Sequence, residues 1–449
     1  MIQSLPTVDD CIYYTSRDEM PADAVQQLED LAYRWGETYD AYLVNEGKRE
    51  YFWLPRREGV VGFSRRGRCA LVVGGLLAPP EKRKALLEAL LEFAKSKRWN
   101  LSFYNIGRSE TAVYKEAGCE ITKMGEEPII DLERTEWRGK KYEWVRRQEN
   151  YCKRQGVELV EVRTEDDNYE QEIAPQLEQV SQLHVADTLH AREMKFFVGS
   201  FDPHHLGSRR LFVAWHEGRV VAFIVCNPCV AGEMWAIEIY RKLPDAPRGV
   251  VPFAIMSILR TLKEEGVKFA SLSLIPLLRC NTDPKEKKIH HGSRVFYFIA
   301  RFWWNRMNWV FDMRGIYHFK SRFRPDYREM YLAAFPKVTI RSMWALGMTW
   351  EVLKFNPLRL LRRGQGGGKQ RDTLAKPAQR PERVVRDVRN KRSKQKAAAE
   401  QPAANSEGQA PLPGDAAHAK PGGPHLDHAR QRGADADNGD GQSAEAASK

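Results

Sequence analysis

The chain lacks any long apolar run. No stretch reaches the roughly 18 to 20 residues that a bilayer-crossing helix requires, so no spanning helix is expected anywhere in it. Its first residues, MIQSLPTVDDCIYY, lack the basic segment followed by an apolar one that marks a secretory signal. Cysteine is sparse, with seven residues scattered over 449. An odd, dispersed set does not read as a disulfide framework and fits a reducing compartment. Cys226-Asn-Pro-Cys229 is a CxxC, yet no second ligand pair at zinc spacing accompanies it. It closes an apolar strand, whereas a redox pair opens a helix. It reads as two buried thiols, and neither a metal nor a cofactor is expected. These absences predict a cytoplasmic protein whose membrane contact, if present, is peripheral on the inner face of the cell membrane.

Acidic residues are also in deficit, 59 against 71 Lys and Arg, for a net charge of +12. A basic balance favours anionic partners such as nucleic acid or an anionic bilayer. Part of the excess sits in a tail. From Gly364 onward the composition turns to Gly, Pro, Ala, Gln and charge, basic between Lys369 and Lys396, and reads as disorder.

Before the tail, strand and helix patterns alternate. YDAYLVNEGKREYFW reads as strand, turn, strand, and GVVGFSRRGRCALVVGG as a hairpin. PPEKRKALLEALLEFAKSKRW is an amphipathic helix with Pro80 in its first turn, followed by the strand NLSFYNIG. After the strand GEEPIID and a basic helix in RGKKYEWVRRQENYCKRQG, the order restarts. VELVEV, the hairpin RRLFVAWHEGRVVAFIVC, EMWAIEIYR and FASLSLIPL are strands, and VPFAIMSILRTLKEEG is a helix. The repeated order predicts an α/β (α+β) chain with a duplicated fold. The boundaries read as 1–138 for the first unit, 139–156 for the basic connecting helix and 157–338 for the second unit. An amphipathic basic helical segment over 339–363 and the tail over 364–449 complete the chain.

Chemistry concentrates in EMWAIEIYRKLPDAPRGVVPFAIMSILRTL. A strand ends at Arg241, a Pro- and Gly-containing loop follows, and a helix starts near Pro252. Gly249 permits close backbone approach, and free N–H groups at a helix start hold oxyanions. Glu238 and Arg241 stand three apart. On a regular strand they face opposite sides, so they form either an edge ion pair of little energetic value or a site assembled by a strand end or bulge. Near the end of the folded part, IYHFKSRFRPDYREMYLA alternates. His318, Lys320, Arg322 and Arg324 fall on one parity, and Tyr317, Phe319 and Phe323 on the other. That predicts a strand with a cationic and an aromatic face.

The strand–loop–helix unit is similar to the acyl-CoA pyrophosphate site of GNAT acyltransferases, although Arg248-Gly249-Val250-Val251 departs from that family's loop. The ordered series MGEEPIIDLERTEWRGKKYEWVRRQENYCKRQG, FFVGSFDPHHL, RKLPDAPRGV, SLSLIPL and GIYHFKSRFRPDYREMYLA resembles one family more closely. It is the cytosolic domain of the aminoacyl-phosphatidylglycerol synthases, the multiple peptide resistance factors, over about Tyr39 to Phe335. The resemblance implies two tandem GNAT-like domains, here without the family's membrane flippase. It implies transfer of an aminoacyl group from aminoacyl-tRNA to a hydroxyl of a membrane lipid such as phosphatidylglycerol. Aminoacyl-tRNA and anionic phospholipid are then the expected partners.

By the same resemblance, Glu238, Arg241 and Lys320 are the expected catalytic residues. Asp202, Arg248, Gly249 and Arg322 are the expected substrate-binding ones. Glu238 stands where Asp is usual, Ser200 where the family loop has Arg, and Pro252 where an acidic residue is frequent. The other readings are a GNAT-like acyltransferase acting on a small molecule or peptide, and a binding module that has lost its chemistry.

Overall fold

The computed structural model describes residues 8–187, 196, 199–280, 292–307 and 312–352. The first half runs β1 (Ile12–Tyr14), α1 (Ala22–Trp35), β2 (Glu50–Trp53), β3 (Val60–Arg66), β4 (Cys69–Leu77), α2 (Pro80–Ser96), β5 (Asn100–Gly107), α3 (Thr111–Glu116) and β6 (Glu120–Asp131). The connecting helix is α4 (Glu143–Arg154). The second half runs β7 (Glu158–Val162), α5 (Ala174–Asp187), β8 (Arg210–His216), β9 (Arg219–Cys229), β10 (Met234–Lys242), α6 (Val250–Glu264), β11 (Phe269–Ser271) and β12 (Ile275–Pro276). Then come α7 (Arg294–Phe302), α8 (Met313–Ser321), β13 (Asp326–Phe335) and α9 (Ile340–Thr349).

Local chemistry explains the elements that sequence pattern anticipates. Gly67 takes φ +61 in the two-residue turn joining β3 to β4, and Glu217-Gly218, both at positive φ, make the tight turn between β8 and β9. Pro80 opens α2, whose Leu86, Leu87, Leu90 and Leu91 are buried against the sheet. Helices α1 and α7 have no counterpart in the pattern reading.

Three expectations need correction. Residues Ala41–Asn45 form a short, fully buried 3-10 helix in place of the first strand. FASLSLIPL is two strands, broken where Ser273 turns to φ +62. The largest correction concerns IYHFKSRFRPDYREMYLA. Its first part is the helix α8, capped where Gly315 N–H donates to Asp312 Oδ1 at 2.9 Å, and only from Asp326 does the chain become a strand.

The described strands form one mixed sheet of thirteen, in the order β1-β2-β3-β4-β5-β13-β6-β11-β10-β9-β8-β7, with β12 paired to β6. The last strand, β13, lies between β5 and β6, antiparallel to both. β6 then bridges to β11 and β12 of the second half. Beyond β6 the two faces of the sheet carry different helices. Ile237 of β10 belongs to a cluster with Ile255, Met256 and Leu259 of α6. Ile239 packs with Leu177 and Val180 of α5. Segments 353–363 and the tail from 364 lie outside the described residues.

Candidate active site

The register of β10 against β9 shifts between Ile237 and Ile239, so Glu238 is the extra residue of a β-bulge. The bulge resolves the parity problem. Ile239 pairs with Val225 and Arg241 with Phe223, both partners in the cluster facing α5. Glu238 accepts a hydrogen bond from Asn227 Nδ2, on the same parity of β9. The inserted residue therefore places Glu238 and Arg241, three apart in sequence, on one face, and both are buried. β10 pairs with β11 only over Met234–Ala236. Past the bulge, β10 has β9 as its only strand neighbour among the described residues.

Lys320 reaches this opening from α8. It is 7 % exposed, and its Nζ donates to the carbonyls of Ser273 and Leu274 at 3.0 and 3.2 Å. Ser273 Oγ in turn donates to the carbonyl of Ile237, next to the bulge, at 3.1 Å. Two carbonyls are modest compensation for a buried ammonium. Burial drives the Lys320 pKa down to about 7, against the opposing fields of Glu127 and Glu238.

The carboxylates around it shift the other way. Burial raises Glu238 well above the usual range, helped by Glu46 and Asp40 and opposed by Arg209. Glu127, which accepts from Ser271 Oγ at 2.5 Å, is pushed up to about 7 by burial. Asp40 is fully buried and raised by that burial, although Thr38 Oγ1 and Asn105 Nδ2 donate to it at 2.7 and 2.8 Å. Asn105 also donates to Tyr39 Oη at 3.1 Å. The first half of the chain thus supplies Tyr39, Asp40, Asn105 and Glu127 to a cluster that the second half completes with Asn227, Glu238 and Lys320.

Arg322 does not join Lys320. In a strand the two share a face, but two positions along a helix they diverge by about 200°. Arg322 instead pairs with His318 Nε2 at 2.8 Å and lies over the Trp144 ring of α4. Asp202 is exposed and organises its own loop, accepting from His204 N and facing His205 Nδ1, each at 3.0 Å. That loop is tied to the first half at Ser200, whose N–H donates to Glu46 Oε2 at 2.6 Å, while Arg209 pairs with the same carboxylate.

Gly249 caps α6 at φ +85. The helix start is less open than its sequence implies: Val250 N–H already bonds Pro247 O, and Pro252 has no N–H. A methyl group at Gly249 would stand 2.5 Å from Gln148 Oε1, so α4 packs over this end. Arg248 is exposed beside it.

The pattern reading missed Asp40, Asn105, Glu127, Asn227 and Ser273. Glu127 carried a signal. GEEPIID places two adjacent acids in an apolar strand, and both Glu126 and Glu127 are buried. Glu126 is neutralised by Lys123 and Arg279, at 2.7 and 2.8 Å, whereas Glu127 has only the serine as a close polar partner among the described residues. Cys226 and Cys229 are free and buried, with thiols pushed up by that burial. Among the described residues no helix is long and apolar enough to cross a membrane.

A second feature ends on the same segments. An apolar cleft of about 330 Å³ is lined by Tyr104, Met124, Leu277, Trp303, Met313 and Trp350, among others. Leu277 follows β12 just beyond the carbonyls that hold Lys320, and Met313 opens the helix that carries it. Phe302 and Trp344, 53 and 61 % exposed, stand among the cleft's lining residues.

The fold is mixed α/β around one sheet, the α/β (α+β) class that the sequence pattern anticipates. It is similar to the solved L-PGS from Bacillus licheniformis, with a TM-score of 0.59 at 22 % identity, covering 75 % of this chain and 98 % of that one. It is also similar to the C-terminal domain of a putative lysylphosphatidylglycerol synthetase from Agrobacterium fabrum, with a TM-score of 0.57 at 24 % identity, covering 74 and 97 %. The chain belongs to the family described as phosphatidylglycerol lysyltransferase, C-terminal, whose model matches residues 29–334. A phosphatidylglycerol lysyltransferase of Bacillus subtilis (strain 168) is 24 % identical over 288 residues, 64 % of this chain and 32 % of the relative. That of Staphylococcus aureus (strain COL) is 22 % identical over 311 residues, 69 and 35 %. The chain therefore spans about a third of the length of these curated relatives.

Proposed function

We propose that the chain transfers an aminoacyl group from aminoacyl-tRNA to a hydroxyl of phosphatidylglycerol or a similar anionic lipid. The observation that carries this reading is Lys320: a buried lysine with its pKa near 7, held by two carbonyls beside buried carboxylates at a strand bulge. Family membership supports the lipid acceptor, and the apolar cleft suits its acyl chains. A water-soluble acceptor gives no reason for a cleft rimmed by exposed Phe302 and Trp344.

An aminoacyl ester is already activated, so the site has to position, deprotonate and stabilise charge. The neutral amine of Lys320 takes the proton of the lipid hydroxyl. The hydroxyl oxygen bonds to the ester carbonyl carbon, and the bond to the tRNA ribose oxygen breaks. That oxygen leaves with the proton from the Lys320 ammonium. Glu238 receives the substrate's α-ammonium, whose charge offsets the cost of burying this carboxyl, whose pKa that burial raises. Arg241, buried on the same face as Glu238, pairs with the lipid phosphate. The catalytic strand of this assignment is β10, and β13 pairs with β6 in the same sheet.

The test is an assay of the full chain with lysyl-tRNA, alanyl-tRNA and phosphatidylglycerol vesicles, read by mass spectrometry of the lipid extract. A new aminoacylated lipid that disappears in Lys320→Ala and Glu238→Ala is the expected result. Product formation that survives both substitutions contradicts the assignment.

A further inference from the structure

The outer side of α4 offers a second, differently built surface. A groove of about 810 Å³ lies between α4 and the start of α6. Arg147, Lys153, Arg154 and Arg248 line it together with Gln148 and Tyr151, and no carboxylate does. Arg147 and Lys153 have ion-pair partners on their own helix, Glu143 and Glu149. Among the described residues Arg154 and Arg248 have none. A solvated helix face normally mixes both signs; here the charged residues that line the recess are all cationic, and Glu143 and Glu149 pair with two of them from outside the lining. Arg147, Tyr151 and Arg154 recur at four- and three-residue spacing, so they form one stripe. The stripe is roughly 10 Å long at 1.5 Å per residue. Tyr151, at 39 % exposed, stands in the middle of it.

We propose that this groove holds the backbone of a single-stranded RNA end, that of the aminoacyl donor. The proposal rests on the function inferred above. Guanidinium groups spaced along a groove with an aromatic ring between them suit phosphates and a stacked base. The blocked start of α6 makes the arginines, not helix N–H groups, the phosphate ligands. A flat bilayer does not enter a recess, and this recess has no apolar rim like that of the cleft near α9. The location fits the chemistry. Arg248 stands in the loop that runs from β10, the strand of Glu238 and Arg241, into α6.

The experiment uses the full chain and its Arg154→Glu/Arg248→Glu variant. Binding is read by fluorescence anisotropy with a labelled RNA hairpin carrying an unpaired 3′ end and with the blunt hairpin, at several salt concentrations. The wild-type chain is expected to favour the tailed hairpin about tenfold, and the variant to lose that preference. Its log–log salt slope should be shallower by about 1.4, two phosphates at about 0.7 each for single strands. The KM for aminoacyl-tRNA should rise at least tenfold. Equal binding of the tailed hairpin by both proteins overturns the proposal. So does a variant that keeps RNA binding but no longer sediments with phosphatidylglycerol vesicles, which would make the groove a membrane contact. Lys320→Ala separates the two claims: it abolishes transfer and leaves the tailed-hairpin preference intact. If the wild-type chain transfers nothing, the binding comparison still decides the groove.

Discussion

Lys320 and Glu127 titrate near the same pH from opposite directions, and each sign has a measurable consequence. Lys320 must be neutral to accept a proton, so kcat is expected to fall as pH drops below about 7. Lys320→Arg keeps the charge, loses the amine's titration and should leave no activity with that limb. A pH profile without an acid limb near neutrality contradicts the role. Stability follows the same groups. The folded pKa of Glu127 is raised from 4.5 to about 7, so the stability it confers is complete below pH 4.5 and lost as pH rises through 7. Glu127→Gln should therefore gain stability relative to the parent between pH 5 and 8, read by thermal melts across that range. Lys320 has a folded pKa lowered from 10.5 to about 7, so its contribution is present above 10.5 and lost as pH falls through 7. At neutral pH, Lys320→Met replaces a buried, partly charged amine by an apolar chain of similar length. It is expected to stabilise the fold by about 1–3 kcal/mol while removing activity. A destabilised Lys320→Met would mean that the lysine is a structural strut.

At the scale of elements, the site depends on two departures from regular strand geometry, and neither is written in residue spacing. The bulge at Glu238 brings it onto one face with Arg241, whereas the spacing alone separates them. The break at Ser273 turns two carbonyls toward Lys320. What pattern does reveal is regular. The β3–β4 and β8–β9 hairpins, α2 and β5 follow from periodicity and turn residues. The misreading of residues 316–321 has an identifiable cause. Six residues of alternation fit a helix as well as a strand, and the deciding signal, the Asp312 cap, lies before the alternation begins. The pairing of β12 with β6 gives an element-scale prediction. A methyl group at Gly125 would stand 2.5 Å from the carbonyl oxygen of Ile275. Gly125→Ala should push β12 away, lowering stability by about 1–3 kcal/mol and weakening transfer by shifting the Ser273–Leu274 carbonyls. Unchanged melting and unchanged transfer would show that β12 does not position the lysine.

At the largest scale, the described strands work as one sheet. β13, last of the strands, completes the first half between β5 and β6, and residues of both halves meet around Lys320. The duplicated order was legible; this interleaving was not, because strand order in space leaves no periodic mark. The two candidate surfaces also differ in kind. The apolar cleft lies by α7 and α9, with Phe302 and Trp344 exposed, and the cationic groove lies by α4. Phe302→Ser/Trp344→Ser should reduce transfer to vesicle-borne lipid at least tenfold, given that burying an aromatic side chain contributes about 1.5–3 kcal/mol. Its effect on a short-chain, dispersed lipid should be smaller. Equal loss on both acceptors would place these residues in catalysis instead of at the bilayer. The central claim is acyl transfer through Lys320, and it is tested most directly by the lipid extract. With charged tRNA and phosphatidylglycerol vesicles, the full chain should yield an aminoacylated lipid, and Lys320→Ala should yield at least a thousandfold less. Undiminished product from Lys320→Ala would contradict the account.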